Sequence, residues 1–158
     1  MSAQKGETKA RLENLVRKLR EKGYKLTPQR YEILRFLTST KSHPTVEEVY
    51  REVRKKHPMV GLATVYKTLE MLRDLKEIQE VGSGEGGMRY DGANPDPHAH
   101  FVCLKCRKVS DVEGLPIADL FQMVEEMTRK QVYNHRIEFY GFCSACSPSQ
   151  FHRGEYKH

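Results

Sequence analysis

Cys103-Leu104-Lys105-Cys106 and Cys143-Ser144-Ala145-Cys146 are two CxxC pairs, and they hold all four cysteines of the chain. Thiolates with two residues between them can bind one ion together. Two such pairs therefore supply the four tetrahedral ligands of a closed structural zinc site, one zinc per chain. Disulfides and an iron–sulfur centre are the competing uses, and a cytosolic setting disfavours the first. His98 and His100 form a second constellation. They lie two apart in a stretch that alternates like a strand, so they project to one side and can share a metal. Asp91 and Asp111 flank them, and His43 lies further back, between two helical stretches. Imidazole and carboxylate together suit manganese, iron or zinc. If Asp91 and His43 join the histidine pair, occupancy of the site ties the two halves of the chain together, which is what a switch needs.

These residues need elements to hold them. Leu12, Leu15, Val16 and Leu19 recur at helical spacing over 9–22, and Gly23 ends that run. Thr27 can cap a second helix with Pro28 at its first position, running to about Ser39. Thr45 and Glu48 make a capping box for a third, whose inner stripe is Val46, Val49, Tyr50 and Val53, with Pro58 at or past its end. A fourth starts near Leu62, with Val65, Leu69, Leu72 and Leu75 inward. Strands follow at 78–81 and 88–91, joined by the turn Gly82-Ser83-Gly84-Glu85-Gly86-Gly87. Helices closed by a Gly-rich hairpin describe a winged helix-turn-helix over residues 1–90, or else a plain helical bundle with a solvated basic face. In the first reading the fourth helix enters the major groove, and Thr64, Tyr66 and Lys67 are suited to touch bases and phosphates.

Residues 91–158 read as a small α/β domain. Strands fall around 98–104, at 109–112 and at 136–142, and are expected to form an antiparallel sheet. A helix over 116–127 is expected to turn Ile117, Leu120, Val124 and Met127 inward. The expected fold class is therefore α+β, a winged helix followed by a small metal-binding and dimerisation domain.

Charge divides along the same line. Nineteen basic and twelve acidic side chains in 1–90, against eight and nine in 91–158, place the net +6 of the 158 residues in the first half. A basic first half points to a polyanion such as double-stranded DNA. Five of the seven histidines lie beyond Asp91. No run approaches the length of a membrane span, and the polar start lacks the apolar core of a signal peptide, so a cytoplasmic chain with no membrane partner is expected. An enzyme is not expected: a catalytic zinc needs an open position, and there is no HExxH with its glutamate base.

Leu26-Thr27-Pro28-Gln29-Arg30, His43-Pro44-Thr45, Ala63-Thr64-Val65-Tyr66-Lys67-Thr68-Leu69, His98-Ala99-His100-Phe101-Val102-Cys103 with Cys106, and His135-Arg136-Ile137-Glu138 ahead of Cys143 and Cys146 together resemble the ferric-uptake-regulator family over nearly the whole chain. The resemblance implies a homodimeric transcription repressor that binds AT-rich inverted repeats when loaded with a divalent metal. It is nearest to the peroxide-sensing branch, whose regulatory metal takes three histidines and two aspartates. These correspond to His43, Asp91, His98, His100 and Asp111, with Fe2+ or Mn2+ as the ion. In that branch the oxidation-sensitive residues correspond to His43 and His98. Iron-sensing relatives usually carry glutamate at the positions of Asp91 and Asp111, and histidine and aspartate where Pro97 and Ala99 stand. Of that further site only His135 remains. The alternatives are an Fe- or Mn-sensing uptake repressor of the same family, and a zinc-stabilised interaction protein that does not bind DNA.

Overall fold

The computed structural model describes residues 2–82 and 87–147. Four helices open the chain: α1 (Ser2–Glu21), α2 (Pro28–Ser39), α3 (Val46–Arg54) and α4 (Leu62–Asp74). Strands β1 (Gln79–Val81) and β2 (Arg89–Asp91) follow, then β3 (Ala99–Cys103), β4 (Val109–Val112), α5 (Ile117–Thr128) and β5 (Glu138–Gly141). Two compact units divide this order, the first ending at Pro97 and the second starting at His98.

Local chemistry sets the helix ends of the first unit. Gly23, at φ 78°, takes the left-handed turn after α1 that a side chain would resist. Thr27 Oγ1 accepts the Arg30 N–H to start α2, with Pro28 at its first position. At α3 the capping box forms: Thr45 Oγ1 accepts from Glu48 N, and Glu48 Oε2 accepts from Thr45 N at 2.8 Å. Helix α1 starts at Ser2, earlier than the apolar stripe requires. Its inner residues Leu15 and Leu19 join Ile33, Leu34, Leu37, Val49, Val53, Val65, Leu69 and Leu72 in one core. β1 and β2 pair antiparallel, Val81 opposite Arg89 and Gln79 opposite Asp91. This is the winged arrangement expected of the first half; the 83–86 part of the expected turn lies outside the described residues.

Glu77, just past α4, fastens α1. Arg11 Nη1 donates to Glu77 Oε2 at 2.7 Å and Arg11 Nη2 to the Glu77 carbonyl at 2.7 Å, while Lys18 Nζ reaches Oε1 at 2.6 Å. Burial works against the Glu77 charge, but the Lys18 and Arg11 hydrogen bonds outweigh it and hold the carboxyl below its ordinary range. Glu77→Gln is expected to cost about 1–3 kcal/mol at neutral pH, as lost hydrogen bonds to a charged group do. Because the folded-state pKa is depressed, this contribution is present above the unfolded carboxyl's pKa and is lost as pH falls through the folded one. Denaturant melts of both proteins across acid pH check this: the gap between them should close as pH drops.

The second unit corrects two expectations. Its sheet has the order β4-β3-β5 and is mixed, not antiparallel: β3 pairs antiparallel with β4 but parallel with β5. The reason is the connection through α5: it carries the chain from β4 past β3 to the far edge of the sheet and brings β5 in antiparallel to β4, hence parallel to β3, and parallel neighbours need such a long connection. The helix itself is not packed as expected. No residue of α5 is buried; Leu120, Val124 and Met127 are exposed, Met127 at 80%. The apolar stripe is real, but its cover is not supplied by the chain's own described residues.

Candidate metal centres and recognition helix

The four cysteines meet where β3 and β5 end. Cys103 closes β3, and Cys106 follows in a tight turn in which Cys103 N donates to the Lys108 carbonyl at 2.9 Å and Arg107 N to the Cys103 carbonyl at 2.9 Å. Cys143 and Cys146 lie just past β5, in a matching turn with Cys146 N donating to the Cys143 carbonyl at 2.9 Å. The parallel register sets Cys103 opposite Gly141, which brings the two turns side by side. All four sulfurs lie within 4.8 Å of one another. Cys106 Sγ and Cys143 Sγ are 3.8 Å apart. Four thiolates at tetrahedral zinc distances stand about 3.8 Å apart, so the cluster fits that ion. The backbone N–H of Cys143, 3.4 Å from Cys103 Sγ, leads a set of donors that draws the Cys103 thiol down to about 6. Cys146, hydrogen-bonded to Cys143 in the same cluster, is pushed up to about 12. The protein scaffold thus already favours negative charge at one corner of the site.

The His/Asp residues fall into two groups, His43 with Asp91 in the first unit and His98, His100 with Asp111 in the second. In the first, His43 and Asp91 are buried, with His43 Nε2 and Asp91 Oδ2 3.7 Å apart. His43 sits between α2 and α3 with φ at 49°, in the left-handed region. A non-glycine residue held there costs about 1–3 kcal/mol, and such strain collects at functional sites. Asp91 ends β2. Its Oδ1 accepts the Ala93 and Asn94 N–H groups at 3.0 and 3.2 Å, which turns Oδ2 toward His43. The next residue, Gly92, has no room for a side chain: a Cβ would lie 2.9 Å from Leu37 Cβ. That close approach seats Asp91 beside the end of α2.

In the second unit His98 precedes β3 and His100 lies within it, fully buried. Their rings are 4.2 Å apart, the same-side placement expected from the spacing. Register puts Asp111 of β4 opposite His100. Asp111 Oδ1 lies 3.2 Å from His98 Nε2 and 3.8 Å from His100 Nε2. Imidazole nitrogens converging on carboxylate oxygens suit a borderline divalent ion, and the donor set contains no thiolate. His135 stands apart. Its ring meets Phe121 edge-on at 4.3 Å, and both ring nitrogens are buried without a hydrogen-bond partner among the described residues.

Arg89 was not among the expected site residues. It donates from Nη1 to the His43 carbonyl at 2.9 Å and to Glu48 Oε2 at 3.1 Å. Its position two before Asp91 on a strand places both on the same side, and that spacing is the only trace of this role in the sequence.

On α4, Val65, Leu69 and Leu72 face the core while Tyr66 and Lys67 face out, Tyr66 at 43% exposure. Thr64 is half-buried, and its carbonyl accepts the Thr68 hydroxyl. The helix therefore offers Tyr66 and Lys67, with Thr64 at their margin, as an open polar face. No helix of the described residues is long and apolar enough to cross a membrane.

Residues 21–140 match the model of the ferric uptake regulator family. The chain is 35% identical over 146 residues to a peroxide-responsive repressor, PerR, of Staphylococcus epidermidis, covering 92% of this chain and 97% of that one. A Campylobacter jejuni peroxide stress regulator of known structure superposes with a TM-score of 0.68 at 28% identity, over 84% of this chain and 97% of its own. The Helicobacter pylori ferric uptake regulator shares the fold, with a TM-score of 0.75 at 24% identity over 91% of this chain and 96% of its own.

Proposed function

The chain belongs to the ferric uptake regulator family and is a metal-dependent, DNA-binding, dimeric transcription repressor rather than an enzyme; we propose that the signal it reads is peroxide. The observation that carries this reading is the His/Asp donor set, with two aspartates and no thiolate. His43 and Asp91 would hold Fe2+ or Mn2+ together with His98, His100 and Asp111. Cys103, Cys106, Cys143 and Cys146 would hold the structural zinc. Residues 1–90 form the DNA-binding domain in this reading and 91–158 the metal-binding and dimerisation domain, in a cytoplasmic protein.

Each residue has a task. With the metal held by the five ligands, two copies of α4 in the dimer meet two half-sites of an AT-rich inverted repeat. Thr64, Tyr66 and Lys67 touch bases and phosphates there, and salt weakens the contact steeply. The exposed stripe of α5 is where a second copy packs. Ferrous iron, when held by the five ligands, would supply redox activation of peroxide without being consumed, the histidine ring being the net two-electron reductant. The nearest oxidisable groups are the imidazoles that hold the iron, and the resemblance to the peroxide-sensing relatives points to His43 or His98 as the target. One peroxide oxygen is added to a ring carbon of the histidine and the other leaves as water. An oxidised ring is a poorer ligand, so the metal leaves and DNA is released.

The test loads the full-length, zinc-replete protein with iron or with manganese and exposes each to brief, low-dose peroxide. Peptide mass spectrometry and DNA binding are followed together. A gain of one oxygen at His43 or His98 in the iron form alone, in step with DNA release, is the expected result. Release that tracks cysteine oxidation and zinc loss would rule the histidine route out. Release governed only by iron or manganese level, with no oxidised residue, would make the protein an uptake repressor.

A further inference from the structure

We infer that Arg89 is a positioning residue for the metal centre: from the strand of the wing hairpin it holds His43 in the backbone conformation that turns its ring toward Asp91. The inference rests on His43 and Asp91 being metal ligands, and it goes beyond naming the ligands. A set of contacts carries it. Arg89 Nη1 donates to the His43 carbonyl at 2.9 Å, so the guanidinium grips the very peptide that follows the strained His43 φ of 49°. The same nitrogen donates to Glu48 Oε2 at 3.1 Å, and that oxygen also accepts Thr45 N at 2.8 Å. The α3 capping box is thereby joined to β2. Finally, Tyr90 N donates to the Pro44 carbonyl at 3.0 Å, and Thr45 bridges to Arg89. The 43–45 segment is thus laid along β2 like a short extra strand.

A solvated surface ion pair would need only the Glu48 contact. Arg89 instead has a side chain only 17% exposed and spends a donor on a main-chain carbonyl. Because Arg89 and Asp91 lie on one side of the same three-residue strand, any shift of the wing moves a ligand and the clamp on its neighbour together. Metal affinity and wing position are linked through this strand, and such linkage is reciprocal.

The experiment uses the full-length, zinc-loaded protein carrying Arg89→Met or Arg89→Lys, beside Asp91→Asn as a ligand control. Two quantities are read: Mn2+ affinity by titration, and hydrogen exchange of residues 40–45 in manganese-free protein. Arg89→Met should weaken Mn2+ about 10–100-fold, the usual cost of losing a group that orients a ligand. It should also speed exchange of 40–45 before any metal is added. Arg89→Lys, which keeps one donor and the charge, should recover part of both and guards against misfolding of the methionine variant. Unchanged affinity and exchange in Arg89→Met, with Mn2+ lost in Asp91→Asn, would overturn the Arg89 role alone. Weakened affinity with unchanged exchange would also overturn it. Full Mn2+ binding in Asp91→Asn would overturn the ligand assignment beneath it.

Discussion

Cys103→Ser should leave the second unit without zinc and without its fold. Cys103 ends β3 and Cys143 follows β5, so the thiolate cluster pins together the ends of two neighbouring parallel strands whose connection runs through β4 and all of α5. Among the described residues beyond His98, the buried apolar ones are Ala99, Val102, Cys103 and Val109. A unit this small has little core to fall back on. Structural zinc contributes about 10–16 kcal/mol in small zinc-dependent folds. A whole domain is stable by about 5–15 kcal/mol. The zinc term is as large as the total, so its loss is expected to unfold the unit rather than weaken it. Elemental analysis should find no tightly held zinc in the variant, circular dichroism should show lost strand signal, and light scattering should find monomers or aggregate. A full zinc equivalent in a native dimer would remove the cysteines from their assigned role.

His100→Ala should abolish the effect of manganese on DNA binding while the zinc stays. His100 is fully buried in the central strand and shares Asp111 with His98. Losing a direct ligand should exceed the 10–100-fold that an orienting partner costs, so a fall in Mn2+ affinity of more than about 100-fold is expected. Metal-driven coupling to a second site is typically worth about 5–150-fold in affinity. The metal-dependent gain in specific DNA affinity should therefore flatten to about onefold at manganese levels that saturate the parent, that is, to no gain. His98→Ala, at a less buried position, should give the same flattening without a cavity in the sheet. Calorimetric Mn2+ titration and fluorescence-anisotropy DNA binding check both variants. Full manganese stimulation in either one would take that histidine out of the site.

What could be read from residues alone depended on whether the signal was local. The caps at Thr27 and Thr45 formed as expected because capping is settled within three residues of chain. The CxxC spacing and the His-x-His alternation survived for the same reason. The direction of β5 did not, since alternation marks a strand but says nothing of its partner. Nor did the packing of Leu120, Val124 and Met127: a helical stripe records that a surface wants cover, not which chain provides it. Arg89 escaped notice because a basic residue on a short edge strand ordinarily reads as solvated, and its acceptor is a main-chain carbonyl forty-six residues away in sequence.

Strand β3 carries a buried ligand of one centre at His100 and a ligand of the other at Cys103, three residues on, in a register fixed on both sides by β4 and β5. Side chains alternate across a strand with a period of two, so inserting or deleting a single residue between these positions reverses one set relative to the other. No compensating change elsewhere restores both. Between its ligands this stretch can therefore accept point substitutions over evolutionary time but not changes of length, and gene fusions or loop grafts made to re-engineer the protein should enter outside residues 98–106.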